Sequence, residues 1–528
     1  MPKSSSTLHS AITSSPACTP FGWTLAAAAR SGCAAGDARP AHNDCRIGTT
    51  PFIAWLYRVA RTSGEPYLGG SPRSESPVLP IQARLGTGPP VKILYLVHQF
   101  LPCHIGGTEL YTLGLATHAQ QRGHQAEVAT FVESASGDVA DFQPTATRHA
   151  DLPVTEIPYN LSVAPRPARY EYDNPFVARQ VEGILERYRP DVVHATHLMK
   201  LSGASLEPAI RRRLPLVVTL TDFWSVCGRH TLLRSDGRLC GGPRHPFDCL
   251  PCMRATHGFT RPRFWPWVRP LSRRLASRAF RTGRVWPMDV LGDLAAFPLR
   301  LPYLRRMLRA VDRIIVLSEF QRRLLVANGV PERRMEVVPH GTELPARATP
   351  TPAPEPGKFA YVGSLAPHKG LHVVLEALAR DPGLDVTLDV YGDGPPASDY
   401  AASLRQRTAG ERRIVWRGRI DPPDLASAIG GYAGLVVPAL WYENNPLIVQ
   451  LALTLGVRVI ASRLGTLEEM LVGRPGHVLV APGEARAWAE ALRRVAEGAW
   501  PSPIPVRDLP TWGSHAQRVM EIYAEVRA

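Results

Sequence analysis

Residues Val436–Ser462 read VVPALWYENNPLIVQLALTLGVRVIAS, and the rest of the 528-residue chain can be placed around them. Gly434–Ala439 is a short apolar run without helical period, the pattern of a strand buried on both faces. Trp441–Asn444 interrupts it. Asn445 is a good N-cap, and Pro446 suits a first helical position, where a missing N–H costs nothing. Leu447–Leu455 carries strong helix formers, Gly456 can close the helix in a left-handed conformation, and Val457–Ala461 is apolar and β-branched again. The spacing therefore predicts strand–loop–helix–strand. The first backbone N–H groups of the helix, those of Leu447 and Ile448 among them, have no carbonyl partner and sit at the positive end of the helix dipole. They make an anion site at the carboxyl end of a parallel strand. Glu443 immediately precedes that site. A carboxylate beside a phosphate site is electrostatically odd, unless it faces a neutral polyhydroxy group attached to the phosphate.

Composition narrows the class. The length suffices for two or three domains with ample cores. The hydrophobic share is 45%, with no apolar run long enough for an ordinary membrane span. The formal charge of +15 reflects either an Arg-rich coding bias or anionic partners, such as a membrane surface or charged substrates. No nucleic-acid module is recognisable, so nucleic acid is not expected as a partner. Eight cysteines in a chain this long do not signal a disulfide-stapled fold, and a cytoplasmic location is expected.

Residues 1–90 are rich in Ser, Ala, Gly and Pro, hold no sustained periodicity, and read as a disordered extension. Order begins at Val91. Lys92–His98 (KILYLVH) is an apolar strand, Gln99–Gly107 a loop, and a helix follows from Thr108 to the Arg122-Gly123-His124 stop, before a strand at Ala126–Phe131. This is the first unit of a Rossmann-like half, with Gly106 and Gly107 letting backbone approach a ligand; a tight turn without a ligand is the alternative. Pro190–His194 is a short strand, with His197 three residues on. An imidazole at a strand's carboxyl end is a candidate donor, acceptor or base, and equally a structural side chain.

Leu216–Thr221 is the next buried strand. Beyond it lie Cys227, Cys240, Cys249 and Cys252, the last two as C-x-x-C. Four thiolates fit a closed structural zinc site, although twelve residues separate the opening pair; disulfides or reduced thiols in a loop remain alternatives. Arg261–Arg309 is a basic insertion interleaved with Phe264, Trp265, Trp267, Phe280 and Trp286. It suits an anionic bilayer surface, or else the solvated face of packed helices. Arg313–Leu317 is a strand, and Ser318 with Gln321 caps the helix after it.

The second half opens at Lys358–Gly363, followed by the loop Ser364–Gly370 (SLAPHKG). Gly392-Asp393-Gly394-Pro395-Pro396-Ala397 superficially satisfies a dinucleotide fingerprint. Its prolines, however, lack the N–H groups that fingerprint needs, so it reads as a turn. Helices are expected at Ala487–Glu497 and His515–Ala528.

Taken together, these segments resemble the family-4 retaining glycosyltransferases, from Val91 to the C-terminus. The resemblance implies an α/β chain of GT-B fold, with two Rossmann-like doubly wound domains facing across a cleft. It implies an acceptor-side domain at 91–345, a Pro-rich linker at 346–357, a nucleotide-sugar domain at 358–510, and a last helix at 511–528 that crosses back. It implies a nucleotide-diphosphate sugar (UDP- or GDP-linked) as donor, a glycan or lipid-linked acceptor, retention of configuration and no catalytic metal. Residue by residue, Gly106-Gly107-Thr108-Glu109 is similar to the GG-x-E loop that lines the cleft. His197 matches a histidine that contacts the donor sugar, and Lys369 a cation on the leaving diphosphate. Glu443 matches the carboxylate on donor-sugar hydroxyls, with Asn444, Asn445, Leu447 and Ile448 at the phosphates and Arg417 beside the base. Two positions depart from the family. Ser364 stands where a second cation is usual, and Leu451 where a second Glu holds the ribose. Those departures keep open a catalytically impaired sugar-binding or scaffolding protein, or another GT-B chemistry.

Overall fold

The computed structural model describes residues 89–528, apart from 105, 139–140, 150, 166, 246, 258–292, 343–352 and 395–398. The expected extension before Val91 and most of the basic insertion thus lie outside the described residues.

Two sheets organise the chain. The first holds β1 (Lys92–Val97), β2 (Gln125–Glu133), β3 (Thr145–His149), β4 (Leu152–Tyr159), β5 (Val192–Ala195), β6 (Leu216–Thr219), β7 (Arg313–Val316) and β8 (Met335–Val337). Their order is β3-β4-β2-β1-β5-β6-β7-β8. Every pair is parallel except the hairpin β3–β4, which turns at Asp151 in a left-handed conformation (φ 58°). The second sheet holds β9 (Glu355–Val362), β10 (Thr387–Tyr391), β11 (Ile414–Gly418), β12 (Tyr432–Val437), β13 (Val459–Ser462) and β14 (Val478–Val480), in the order β11-β10-β9-β12-β13-β14 and parallel throughout. Both are doubly wound, and the GT-B architecture is present.

The strands are apolar because both faces are covered. Ile93 to Val97, Val192 and Val193, Val217 and Val218, and Ile314 to Val316 are all buried. Strand order reverses at β1 in one sheet and at β9 in the other. In open parallel sheets the crevice outside the strand ends at such a point is where ligands bind. The loops leaving β1, β9 and β12 are therefore the ones that matter for chemistry.

The last helix, Trp512–Arg527, packs not on the sheet it follows but on the first: Ala516, Val519, Ile522 and Tyr523 share a core with Ile93, Tyr95 and Leu115. Gly114 makes room for it, since a Cβ there would stand 2.3 Å from the Trp512 indole.

The two domains also meet directly. Ser318 Oγ lies 2.8 Å from Thr466 Oγ1. The Glu469 carboxylate accepts from the Glu319 and Phe320 N–H groups (2.9 and 2.6 Å), so one domain caps a helix of the other. Phe320 packs on Tyr442 at 4.8 Å between ring centres.

The described end of the basic insertion departs from a membrane-facing expectation. The helix Asp293–Ala310 buries Phe297, Leu301, Leu304 and Leu308 in the first domain's core. Arg300 turns inward to pair with Glu171 (2.9 Å) and to donate to the Trp224 carbonyl (2.7 Å). Among the described residues no helix is long and apolar enough to cross a membrane.

Candidate active site

The loop after β9 meets the loop after β12. Lys369 Nζ donates to Glu443 Oε1 at 2.7 Å, and Trp441 Nε1 donates to the same oxygen at 2.8 Å. Lys369 also stands 5.0 Å over the Trp441 ring, and His368 packs against the same indole at 4.7 Å. Both hydrogen bonds converge on Oε1 of a carboxylate that is only 8% exposed. Burial, with Lys369 next to it, holds the His368 imidazole down to about 4, so it is neutral near pH 7.

Gly370 makes this junction possible. Its φ is 75°, and a Cβ would lie 1.8 Å from the Pro438 carbonyl oxygen. Gly370→Ala is expected to combine left-handed strain with a backbone clash, lowering stability by about 2–4 kcal/mol. Chemical denaturation would show this; an unchanged midpoint would mean that the two loops do not meet so closely.

The helix of the opening stretch begins one residue later than the sequence implies. Pro446 is the capping residue, without a side-chain cap, and the helix runs Leu447–Leu455 to a left-handed Gly456. Asn445 does not cap it. Instead its Nδ2 donates across the domain boundary to the Leu317 carbonyl (3.3 Å), while Asn444 Nδ2 donates to the Thr221 carbonyl (2.6 Å). Both expected phosphate-binding side chains thus hold the first domain. Gln450 joins them, donating to the His340 carbonyl at 2.9 Å and to Asn445 Oδ1. Leu451 is half-buried among the apolar residues behind the strand. Leu447 is 48% exposed at the helix start, beside Ile448.

Ser364 is exposed, and its carbonyl accepts from the Tyr361 hydroxyl at 2.9 Å. The Arg417 guanidinium is tied to Asp389 (3.0 Å), which also accepts from Tyr432 (2.6 Å).

Across the cleft, Gly106 and Gly107 open the helix Gly107–Gln121. A Cβ on Gly106 would come 2.6 Å from Glu109 Oε2, so the carboxylate folds back over the loop. Burial raises the Glu109 carboxyl above its usual range, against hydrogen bonds from the backbone. His197 Nδ1 accepts from the Met199 N–H (3.2 Å), which places the ring proton on Nε2, 2.9 Å from Asp222 Oδ2. Burial pushes the Asp222 carboxyl up, but the His197 interaction outweighs it and holds the group down to about 2. The His98 ring packs tilted against His197 at 4.2 Å between centres, with Nε2 3.6 Å from Glu109 Oε1. Burial, reinforced by His197, keeps His98 well below its usual value. Both ring nitrogens of His197 are thus engaged in this structure, one by a turn and one by an aspartate.

The zinc expectation is not met. Cys227, Cys240, Cys249 and Cys252 line one cavity, yet among the described residues no three metal-ligating side chains stand close enough to hold an ion. Cys227, Cys240 and Cys249 pack against the first core, and Cys252 Sγ accepts from the Ser235 N–H at 3.4 Å. Burial pushes the Cys249 thiol up to about 12 and raises Cys227 as well.

Sequence reasoning missed Trp441, His368, Asp222 and His98. His98 alone carried a signal, since it ends the β1 strand pattern. His368 and Asp222 meet Trp441 and His197 from distant segments, whereas Trp441 reaches Glu443 two residues on.

A family model described as glycosyl transferases group 1 matches residues 356–497, and one described as a glycosyl transferase 4-like domain matches 106–341. The chain belongs to the group-1, family-4-like glycosyltransferases. Both sheets and every loop named above fall within or beside those matches. The group-1 match holds Lys369, Glu443 and the Leu447 helix, and the 4-like match holds His197 and Asp222. D-inositol 3-phosphate glycosyltransferase of Mycobacterium ulcerans is 25% identical over 213 residues, 38% of this chain; the match spans about half of that relative's length (46%). The Mycobacterium tuberculosis (strain F11) counterpart is 28% identical over 216 residues, again 38% of this chain and 44% of that one. Among solved structures, sucrose-phosphate synthase from Thermosynechococcus elongatus shares the fold, with TM-score 0.50, 16% identity, and coverage of 82% of this chain and 99% of that one.

Proposed function

We propose that the protein transfers a sugar from a nucleotide-diphosphate sugar to a hydroxyl acceptor, with retention of anomeric configuration. The observation that carries this reading is the meeting of Lys369, Glu443 and Trp441 in front of the uncapped N-terminus of the Leu447–Leu455 helix. A cation and free backbone N–H groups face one place, which suits a leaving diphosphate whose charge grows as the glycosidic bond breaks. Glu443 spends Oε1 on Lys369 and Trp441, leaving Oε2 to accept from hydroxyls of the transferred sugar. In this reading the Gly106–Gly107 loop closes the cleft from the acceptor side, and the acceptor hydroxyl attacks on the face the diphosphate leaves, passing its proton to a diphosphate oxygen. The acceptor is a glycan or a lipid-linked glycan on the cytoplasmic side. The basic residues between 261 and 292 are the segment to meet an anionic membrane, and sedimentation with anionic against neutral liposomes tests that.

A binding or scaffolding role is the second reading, favoured by Ser364 and Leu451. Gln450 does not replace the missing ribose carboxylate, because it is committed to His340 and Asn445. Calorimetric titration of the full chain with UDP and GDP, followed by NMR of products from UDP- and GDP-sugars with glycan acceptors, separates the two. Micromolar nucleotide binding with an α-linked product from an α-linked donor is expected for the enzyme. Nucleotide binding without any turnover would leave the scaffold reading in front, and an inverted product would overturn the retaining mechanism.

A further inference from the structure

A carboxylate held between an indole N–H and a cation occurs in both domains, with different freedom. In the first, Trp224 Nε1 donates to Glu171 Oε1 at 2.8 Å, and the Arg300 guanidinium stands 4.8 Å over that indole while pairing with the same carboxylate at 2.9 Å. Arg300 also donates to the Trp224 carbonyl (2.7 Å) and is only 5% exposed, so it is fixed in the core. In the second, Trp441 Nε1 donates to Glu443 Oε1 at 2.8 Å, and Lys369 Nζ stands 5.0 Å over the indole while donating to the same oxygen at 2.7 Å. Here the cation is a lysine with a 27% exposed side chain, and its ammonium makes no hydrogen bond among the described residues except the one to Glu443. The arginine is tied from several directions at once, the lysine from one.

Charge decides what that freedom does. While paired, Lys369 and Glu443 cancel, and together they offer a diphosphate little net attraction. Once Lys369 turns to a phosphate, Glu443 is a carboxylate 8% exposed beside a second anion, which is unfavourable unless a neutral donor holds it. The neighbouring amides do not help, because Asn444 and Asn445 donate to carbonyls of the first domain. Among the described residues the donor that remains on Glu443 is Trp441 Nε1. Its indole is itself supported: the His368 ring packs on it edge-on at 4.7 Å, and the Leu440 N–H beside it donates to the His368 carbonyl at 2.8 Å.

We propose that Trp441 is a positioning residue: its N–H holds the Glu443 carboxylate in place while Lys369 exchanges its ion pair with Glu443 for the incoming diphosphate. This rests on the glycosyl-transfer reading and deepens it. The empty site is self-neutralised, and the indole lets the cation leave without stranding the carboxylate that the transferred sugar needs.

The test titrates UDP and GDP into the full chain as wild type, Trp441→Phe and Trp441→His, each with Glu443 intact and with Glu443→Gln. Phenylalanine keeps an aromatic face for Lys369 and His368 but has no N–H. Histidine loses much of that face, yet its Nε2 takes the place of the indole nitrogen on a five-membered ring and can donate. For Trp441→Phe the Kd of the nucleoside diphosphate that wild type binds is expected to rise about tenfold, the loss of one hydrogen bond to a charged group, and Trp441→His should recover most of it. In the Glu443→Gln background no charge is left to strand, so Trp441→Phe should change Kd by less than about twofold. An unchanged Kd for Trp441→Phe with Glu443 intact would overturn the proposal, because Lys369 would then serve both anions at once. Tighter binding by the Phe variant than by the His variant would also overturn it, marking simple packing, as would an equal loss in the Gln background. A wild-type protein that binds neither UDP nor GDP would overturn the glycosyl-transfer reading itself, and this inference with it.

Discussion

Lys369→Ala is expected to lower kcat/KM for sugar transfer by about 100- to 1,000-fold, the loss that follows removal of one group stabilising charge that develops in a transition state. The expectation is at the upper end because Ser364 supplies no second cation and sits exposed at the rim. The variant also strips Glu443 of its ion pair. That carboxylate is only 8% exposed and would keep Trp441 Nε1 as its remaining partner at 2.8 Å, so part of the loss is disorganisation of the carboxylate. Lys369→Arg separates the contributions. It keeps the charge and can still pair with Glu443, but presents a planar fork in place of a compact ammonium. An arginine variant that regains most of the activity would assign the effect to charge. Equal failure of both variants would point to geometry. Activity within about threefold of wild type for Lys369→Ala would mean that the diphosphate is bound elsewhere.

Acidification is expected to destabilise the fold well above the carboxylate range, starting where the last helix docks. His194 and His515 are buried at that junction, and His340 is half-buried beside them. His515 Nδ1 lies 2.7 Å from the Pro339 carbonyl oxygen and Nε2 3.2 Å from the Tyr111 hydroxyl, and the His340 and His515 rings are 5.7 Å apart. Burial holds His194 and His340 down to about 3 and His515 to about 4. The unfolded chain titrates near the ordinary histidine value of about 6.5, so it binds protons first as pH falls. These folded-state pKa values are depressed, so the stability they confer is fully present above about 6.5 and is lost as pH falls toward the folded values. Each histidine contributes a slope of up to about 1.4 kcal/mol per pH unit in that window. Thermal unfolding at pH 7, 6, 5 and 4.5 should show a steep fall in Tm below pH 6.5. His515→Gln should flatten it, since glutamine has no proton to take up. A Tm constant from pH 7 to 5 would contradict the neutral, buried junction.

Much of the architecture was legible in the chain because the signals for it are local. Val436–Val437, Leu447–Leu455 and Val459–Ser462 announce strand, helix and strand through period, β-branching and a closing glycine, and the structure places all three there. The β3–β4 hairpin escaped notice for the same reason. TATRH is polar and mostly exposed, so its pairing with Leu152–Tyr159 left little periodicity to read. The cysteines misled in the opposite direction: C-x-x-C is a spacing, and spacing does not say that the more distant pair comes within coordination distance.

By itself the sequence determined two largely parallel α/β units and the loops at their strand ends, since these follow from propensity and burial within a few dozen residues. Only the tertiary structure decided which side chains are free to act. Asn444, Asn445 and Gln450 look alike to local reasoning, yet each donates to a carbonyl of the other domain, more than a hundred positions away. His197 is taken by the Met199 N–H and by Asp222. The physical reason is that a hydrogen bond saturates. A polar side chain's availability is whatever the docking of distant segments leaves over, and no local pattern records it.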